Sequence, residues 1–305
     1  MARVVRDAFG EEAFGEVEPL SGGRSGAATF SVTVGGARYV VRRGGPGSEP
    51  SILSLQMASE RGVAPRLVHS DHAGGVTIME RIDGTPVRLN NEHPEHIAAV
   101  ARTLRLLHSG PMFPRTVNLD EVIGNMNGAV RATGNGGLRP ELVEALSETT
   151  RVTARSAGTA PCHNDLNPGN LLMAEGRVYF VDWDTAANHD PFFDLAEIGV
   201  FGCPSPSGRA RLLHEYLGRA PTEEEAAHAV VSRAGALGFY SAAFSMVSAI
   251  KGFFDADARG LPMAEVLSTF AWASATPAVV AASLFAEMQR EMATDGYDGA
   301  KRQLG

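Results

Sequence analysis

Hydrophobic and polar positions alternate through Thr29-Phe30-Ser31-Val32-Thr33-Val34. The alternation resumes, after Gly35-Gly36, through Arg38-Tyr39-Val40-Val41-Arg42. A period of two places successive side chains on opposite faces of a strand, and a glycine pair between two such runs predicts a hairpin. Val17–Leu20 predicts a shorter strand before them. Arg66–Ser70 and Gly75–Arg81 predict two more after them. Between the pairs, Gly44-Gly45-Pro46-Gly47 breaks the chain. Ser48 is then placed to cap a helix with Pro50 in its first turn, carrying Ile52, Leu53, Leu55 and Met57 and stopping near Gly62. Residues 1–83 thus read as strands and turns around one helix.

After Asp83-Gly84 the period changes. Ile97, Val100, Ala101, Leu104 and Leu107 recur at helical spacing. Pro140–Ala154 predicts another helix, and Pro221-Thr222-Glu223-Glu224-Glu225 has the acids that favour a helix start. From Ser207 onward the chain is Ala-rich and helical, and the tail beyond Asp295 is expected to fray. The fold class predicted is α+β in two lobes. Residues 1–83 form a small antiparallel sheet with one helix, and residues 84–305 form a larger, mainly helical lobe. A nucleotide is expected between them.

Composition narrows the function. The 305 residues are 44% apolar and 20% charged, ordinary for a globular protein. No uninterrupted apolar run is long enough to span a bilayer, and Met1–Asp7 lacks the apolar core of a signal peptide. Only Cys162 and Cys203 are present, so no disulfide framework is implied. A cytoplasmic protein without a membrane partner is the expectation. The formal net charge is −8, which argues against nucleic acid as a partner. Most of the excess lies after residue 83, where an acidic field suits a cationic substrate.

The chemistry concentrates in residues 159–194. Cys162-His163-Asn164-Asp165-Leu166-Asn167-Pro168-Gly169-Asn170 fits H-x-D-x-x-x-x-N, the spacing of a kinase catalytic loop. Twelve residues past Asn170, beyond an expected hairpin, stands Val181-Asp182-Trp183-Asp184. Phosphoryl transfer needs a carboxylate to orient the attacking hydroxyl and accept its proton, which is the role expected of Asp165. It also needs oxygen ligands for Mg²⁺, expected from Asn170 and Asp182. His163 reads as a structural hydrogen-bonding residue. With Asp165 it makes no zinc site, because no third or fourth ligand is spaced for one.

The segment His163–Asp194 resembles the aminoglycoside phosphotransferase/choline kinase family, whose fold is similar to protein kinases. Asp182-Trp183-Asp184 matches its second motif and Asp190-Pro191-Phe192-Phe193-Asp194-Leu195-Ala196 the stretch after it. The resemblance implies that Asp194 braces the catalytic loop. It also implies that Leu20-Ser21-Gly22-Gly23 covers the nucleotide, so that Ser21, Gly22 and Gly23 contact ATP or GTP. Arg42 becomes the phosphate-contacting cation and Glu49 its partner, and Met79–Gly84 the hinge in which Glu80 and Ile82 meet adenine. Arg42 stands where a lysine is usual, a change that bacterial members share; guanidinium still grips phosphate. Asp184 stands where many choline kinases have glutamate, and either reaches a second metal or caps a turn.

The function this implies is phosphoryl transfer from ATP (or GTP), with Mg²⁺, to a hydroxyl of a small molecule. The loop, Cys-His-Asn-Asp-Leu and Asp-Trp-Asp are closer to the choline branch, with an aminoglycoside or other antibiotic as the alternative acceptor. A choline cage would draw on Phe239, Tyr240, Phe253, Phe254 or Trp272, and an amine site on Asp255 or Asp257. A nucleotide-binding pseudokinase is the rival of another class. A protein kinase is disfavoured, since neither Asp-Phe-Gly nor Ala-Pro-Glu is present. The oligomeric state is not legible.

Overall fold

The computed structural model describes residues 2–10, 15, 17–20, 28–45, 47–89, 93–156, 158–252 and 276–305. Contacts divide the chain into two compact units. One holds Met1–Arg88, His93–Thr116 and Ala160–His189, and the other Leu89–Glu92, Val117–Thr159 and Asp190–Gly305. This grouping does not follow the 83/84 boundary. The segment around the kinase-like loop packs with the N-terminal sheet, because hydrogen bonds from residues 160–189 return to it.

The first unit is built on a five-stranded antiparallel sheet in the order β1-β2-β3-β5-β4. Its strands are β1 (Glu18–Pro19), β2 (Ala28–Val34), β3 (Ala37–Arg43), β4 (Leu67–Asp71) and β5 (Val76–Glu80). Gly35 and Gly36 both take positive φ, 57° and 81°, the conformation that a tight hairpin requires and that a side chain resists. Val32, Val34, Val41, Val76 and Ile78 turn to one buried core.

Helix α1 (Ala2–Phe9) covers that core with the fully buried Val5, and Phe9 packs on Tyr39 at 4.7 Å between ring centroids. This helix was not expected; eight residues carry too little periodicity to stand out from the strands that follow. Helix α2 (Glu49–Glu60) forms where predicted. Ser48, however, does not cap it with its side chain. Its backbone is already α-helical (φ −74°, ψ −7°), whereas a capping residue needs an extended conformation.

Two smaller sheets complete this unit. Strands β6 (Thr85–Pro86), β8 (Leu171–Ala174) and β9 (Arg177–Phe180) form one, and β7 (Ala160–Cys162) pairs with β10 (Ala187–His189) in the other. Helix α3 (Pro94–His108) is tied to β9 by Thr103 Oγ1, which donates to the Val178 carbonyl at 3.3 Å.

The second unit is helical among its described residues. Helix α8 (Glu223–Ile250) is its axis, contacted by α4 (Leu119–Ala132), α5 (Pro140–Thr153), α6 (Pro191–Phe201), α9 (Pro277–Met292) and α10 (Asp295–Leu304); α7 (Pro206–Leu217) packs on α6. By length and composition α8 would pass for a membrane span, but most of its apolar stretch is buried inside the unit, as a core helix requires. Thr222 and Glu225 cap its start reciprocally. A Cβ at Gly238 would lie 2.8 Å from Met288 Sδ and 2.9 Å from Leu146 Cδ2, so this glycine lets three helices close.

The tail corrects an expectation. Residues 295–304 do not fray. Tyr297, Ala300 and Leu304 share one helical face and are buried with Val152 and Val231. A sheet-bearing N-terminal part and a mainly helical remainder give the α+β class that the sequence predicts.

Candidate active site

The hairpin β8–β9 carries the candidate site. Asn170 precedes it and Asp182 follows it, and the Val181 amide donates to the Asn170 carbonyl at 3.0 Å. Two residues twelve apart in sequence are thereby brought side by side. Asp182 sits in the left-handed region (φ 65°, ψ 71°), which is uncommon for a residue with a side chain and clusters at functional sites. The turn Trp183–Thr185 holds it from the other side. Trp183 is buried and its Nε1 donates to the Phe180 carbonyl at 2.9 Å.

His163 is fully buried. Its Nε2 meets the Val181 carbonyl at 3.0 Å, and its ring lies edge-on to Trp183 at 4.7 Å. Thr185 Oγ1 returns a bond to the His163 carbonyl at 3.0 Å. The loop and the Asp182 turn are thus pinned together immediately before the working residues.

Asp165 and Asn170 are in direct contact. Asn170 Nδ2 donates to Asp165 Oδ2 at 3.1 Å and to the Asp165 carbonyl at 2.8 Å. With the nitrogen so engaged, the amide Oδ1 is the atom left to meet a cation. Asn167 Nδ2 donates to Asp165 Oδ1 at 3.0 Å. Both carboxylate oxygens are therefore oriented, with lone pairs remaining for a substrate hydroxyl.

Arg42, on β3, faces Asp182 and Asp184. Its Nη2 lies 3.3 Å from Asp182 Oδ1 and also pairs with Asp184 Oδ2. Burial foremost raises the pKa of Asp182, and the Asp184 and Asp165 carboxylates add to the shift while Arg42 opposes it. Three carboxyl groups close enough to repel, with one guanidinium among them, favour a further cation. The donors Asp182, Asp184 and Asn170 are all oxygen, and one or two carboxylates with an amide oxygen suit Mg²⁺. These residues fit that ion.

The other expected residues are placed differently. Glu49 is exposed at the start of α2 and makes no ion pair among the described residues; Asp182 and Asp184 are the acids that meet Arg42. Glu80 ends β5 and accepts from Arg66 at 2.6 Å, and Ile82 follows in the segment before β6. Asp194 is fully buried in α6, in the second unit. Ser21, Gly22 and Gly23 lie outside the described residues, as do Phe253, Phe254, Asp255, Asp257 and Trp272. Phe239 and Tyr240 belong to the core of the helical unit, where Tyr240 Oη donates to Glu197 at 3.0 Å.

Sequence reasoning missed the supports of the Asp182 turn. Arg115 Nε donates to the Ala186 carbonyl at 3.0 Å and Nη2 to that of Asp184. Ser51 Oγ reaches the Asp184 carbonyl at 3.1 Å. Neither stands near the motif in sequence, and nothing in the chain flags them. Asn167 lies inside the catalytic-loop spacing and was within reach of that reading.

The model of the family described as "Phosphotransferase enzyme family" matches residues 16–228. Protein LicA of Haemophilus influenzae is 50% identical over 38 residues, 12% of this chain and 14% of that protein, so the chain aligns with a small part of its length. The choline/ethanolamine kinase family protein from Mesorhizobium loti superposes with TM-score 0.71 at 20% identity, over 95% of this chain and 92% of that one. A thermostable mutant of the aminoglycoside phosphotransferase APH(4)-Ia, in a ternary complex with ADP and hygromycin B, does so with TM-score 0.63 at 16% identity, over 96% of this chain and 98% of that one. The fold is thus the protein kinase-like α+β fold. The match over residues 16–228 shows that this chain belongs to the phosphotransferase enzyme family.

Proposed function

We propose that the protein transfers the γ-phosphoryl group of ATP to the hydroxyl of a choline- or ethanolamine-like amino alcohol. The observation that carries this reading is the Asp165–Asn170 contact, with the Asp182 carboxylate facing Arg42. Asp165 would orient the acceptor hydroxyl and take its proton as the new O–P bond forms and ADP leaves. Asn170 and Asp182, with Asp184 in reach, would hold Mg²⁺, whose chemistry is to neutralise charge on the phosphate oxygens. Arg42 would exchange its carboxylate partners for phosphate. Ser21, Gly22 and Gly23, with Glu80 and Ile82, would meet the nucleotide.

The amino-alcohol acceptor is supported by the similarity to the choline/ethanolamine kinase family protein. The excess acid after residue 83 suits a cationic acceptor. An aminoglycoside is the second reading, supported by the fold shared with APH(4)-Ia and by the same charge. The test is ADP release with choline, ethanolamine, thiamine, sugars and aminoglycosides. The highest kcat/KM is expected with choline or ethanolamine. A preference for an aminoglycoside overturns the acceptor assignment, and nucleotide binding without turnover on any acceptor overturns the catalytic one.

A further inference from the structure

Between helices α3 and α4, residues 113–116 lie along β10 and the turn that follows Asp182. Asn188, on β10, holds them there. Its Oδ1 accepts from the Phe113 amide at 2.7 Å, and its Nδ2 donates to the Phe113 carbonyl at 2.8 Å. The Asn188 amide donates to the Arg115 carbonyl at 2.8 Å, and Thr116 bridges to Asn188 in parallel sense. A side-chain amide that uses both its acceptor and its donor on one residue's backbone fixes that backbone in place. Phe113 is itself buried and meets Trp183 edge-on, with 6.3 Å between centroids. Pro114 then restricts the chain on its way to Arg115.

This strap delivers one guanidinium to the turn. Arg115 Nε donates to the Ala186 carbonyl at 3.0 Å and Nη2 to the Asp184 carbonyl. Ser51 Oγ, from α2, donates to the same Asp184 carbonyl at 3.1 Å. Asn164, the neighbour of Asp165, donates through Nδ2 to the carbonyls of Thr185 at 3.3 Å and Ala187 at 3.2 Å. The successive carbonyls of residues 184 to 187 are thus all held by side chains from other segments. Arg115 is also a charge beside the site: burial lowers its pKa, and the Asp184 carboxylate opposes that shift.

We propose that Arg115 is a positioning residue of the phosphoryl-transfer site: clamped through Asn188, it holds the turn after Asp182 so that this carboxylate keeps one orientation toward Asp165 and Asn170. The role rests on the phosphoryl-transfer reading and adds a residue which that reading does not use. Arg115 has two opposed effects on a metal ion. Its positive charge repels the ion. Its two bonds order the turn in advance, so that binding does not have to. Lysine separates the two, because an ammonium keeps the charge but lacks the planar fork that reaches two carbonyls.

The test is Mn²⁺ titration of the full chain by electron paramagnetic resonance, beside the Mg²⁺ dependence of ADP release and thermal unfolding. Arg115→Lys should weaken Mn²⁺ about tenfold, the loss of one charge-assisted bond. It should raise the Mg²⁺ concentration for half-maximal rate by a similar factor, with kcat at saturating Mg²⁺ within about threefold of the original. Asn188→Ala, which frees the strap, should weaken Mn²⁺ as well, and the double variant should lose less than the product of the two effects. Unchanged or tighter Mn²⁺ binding in Arg115→Lys overturns the proposal whatever its Tm, because a purely structural or purely electrostatic role gives that result. Independent, fully additive effects of the two substitutions overturn it too. Original protein that neither binds Mn²⁺ nor releases ADP overturns the phosphoryl-transfer reading itself and this role with it.

Discussion

Arg42 Nη2 stands 3.3 Å from Asp182 Oδ1 and at the same time reaches Asp184. The cation expected to hold nucleotide phosphate therefore sits on the two carboxylates expected to hold metal. Removing it leaves those carboxylates without their counter-charge. Arg42→Ala should tighten Mn²⁺ binding in the absence of nucleotide by about tenfold, read by electron paramagnetic resonance. It should lower kcat/KM for ATP by about 100-fold, the scale of one lost charge-stabilising donor. Unchanged Mn²⁺ affinity would separate Arg42 from the metal carboxylates.

Asp165→Asn keeps the shape of the loop but removes the proton acceptor. A fall in kcat of about 10²- to 10⁴-fold is expected, with the dissociation constant for Mg²⁺-nucleotide within about threefold of the original. Near-normal turnover would refute the base assignment.

Asp182→Ala deletes the carboxylate at the strained turn. Mg²⁺-dependent nucleotide binding should be lost, while metal-independent binding persists; equilibrium dialysis with and without chelator distinguishes the two. Binding that stays metal-dependent would remove Asp182 from the ion's ligands.

The raised pKa of Asp182, due first to burial, sets a pH dependence. Native Asp182 holds its proton at a pH where the unfolded chain has released it. The stability from this group is therefore fully present only below the unfolded aspartate value and is lost as pH rises from there through the raised folded pKa. Metal binding must displace the same proton. Mg²⁺-dependent nucleotide binding should thus fail on acidification at a pH above the ordinary aspartate range, and at a still higher pH in Arg42→Ala. A midpoint at the ordinary aspartate value, identical in both proteins, would contradict this.

Tyr297 anchors the C-terminal helix at 1% exposure, yet its hydroxyl makes no hydrogen bond among the described residues. Tyr297→Ala should cost about 3 kcal/mol or more of stability. Tyr297→Phe should be neutral or stabilising by up to about 1 kcal/mol, because it removes a buried unsatisfied group. Urea unfolding of both variants checks the pair; a destabilised phenylalanine variant would mean the hydroxyl has a partner.

Much of the catalytic segment is legible without coordinates. His163, Asp165, Asn170 and Asp182 lie within twenty residues, and a hairpin of predictable length joins them. The short-range part of the fold follows for the same reason: alternation predicts β2 and β3, and the acids after Thr222 predict the start of α8. Elements with weak local signals did not show. Helix α1 is recognisable only by the sheet core that Val5 fills, and the last helix only by the partners that bury Tyr297.

By itself the sequence determined the five strands of the large sheet, helices α2, α3 and α5, the start of α8, and the donor atoms available to a phosphate and a cation, because these depend on periodicity and on functional groups close along the chain. Only the tertiary structure decided that Arg42 meets Asp182 and Asp184 while Glu49 stays exposed, and that Arg115 and Ser51 hold the Asp182 turn. Those pairings join residues from 69 to 142 positions apart. Their geometry follows from how the sheets pack, which no local pattern encodes.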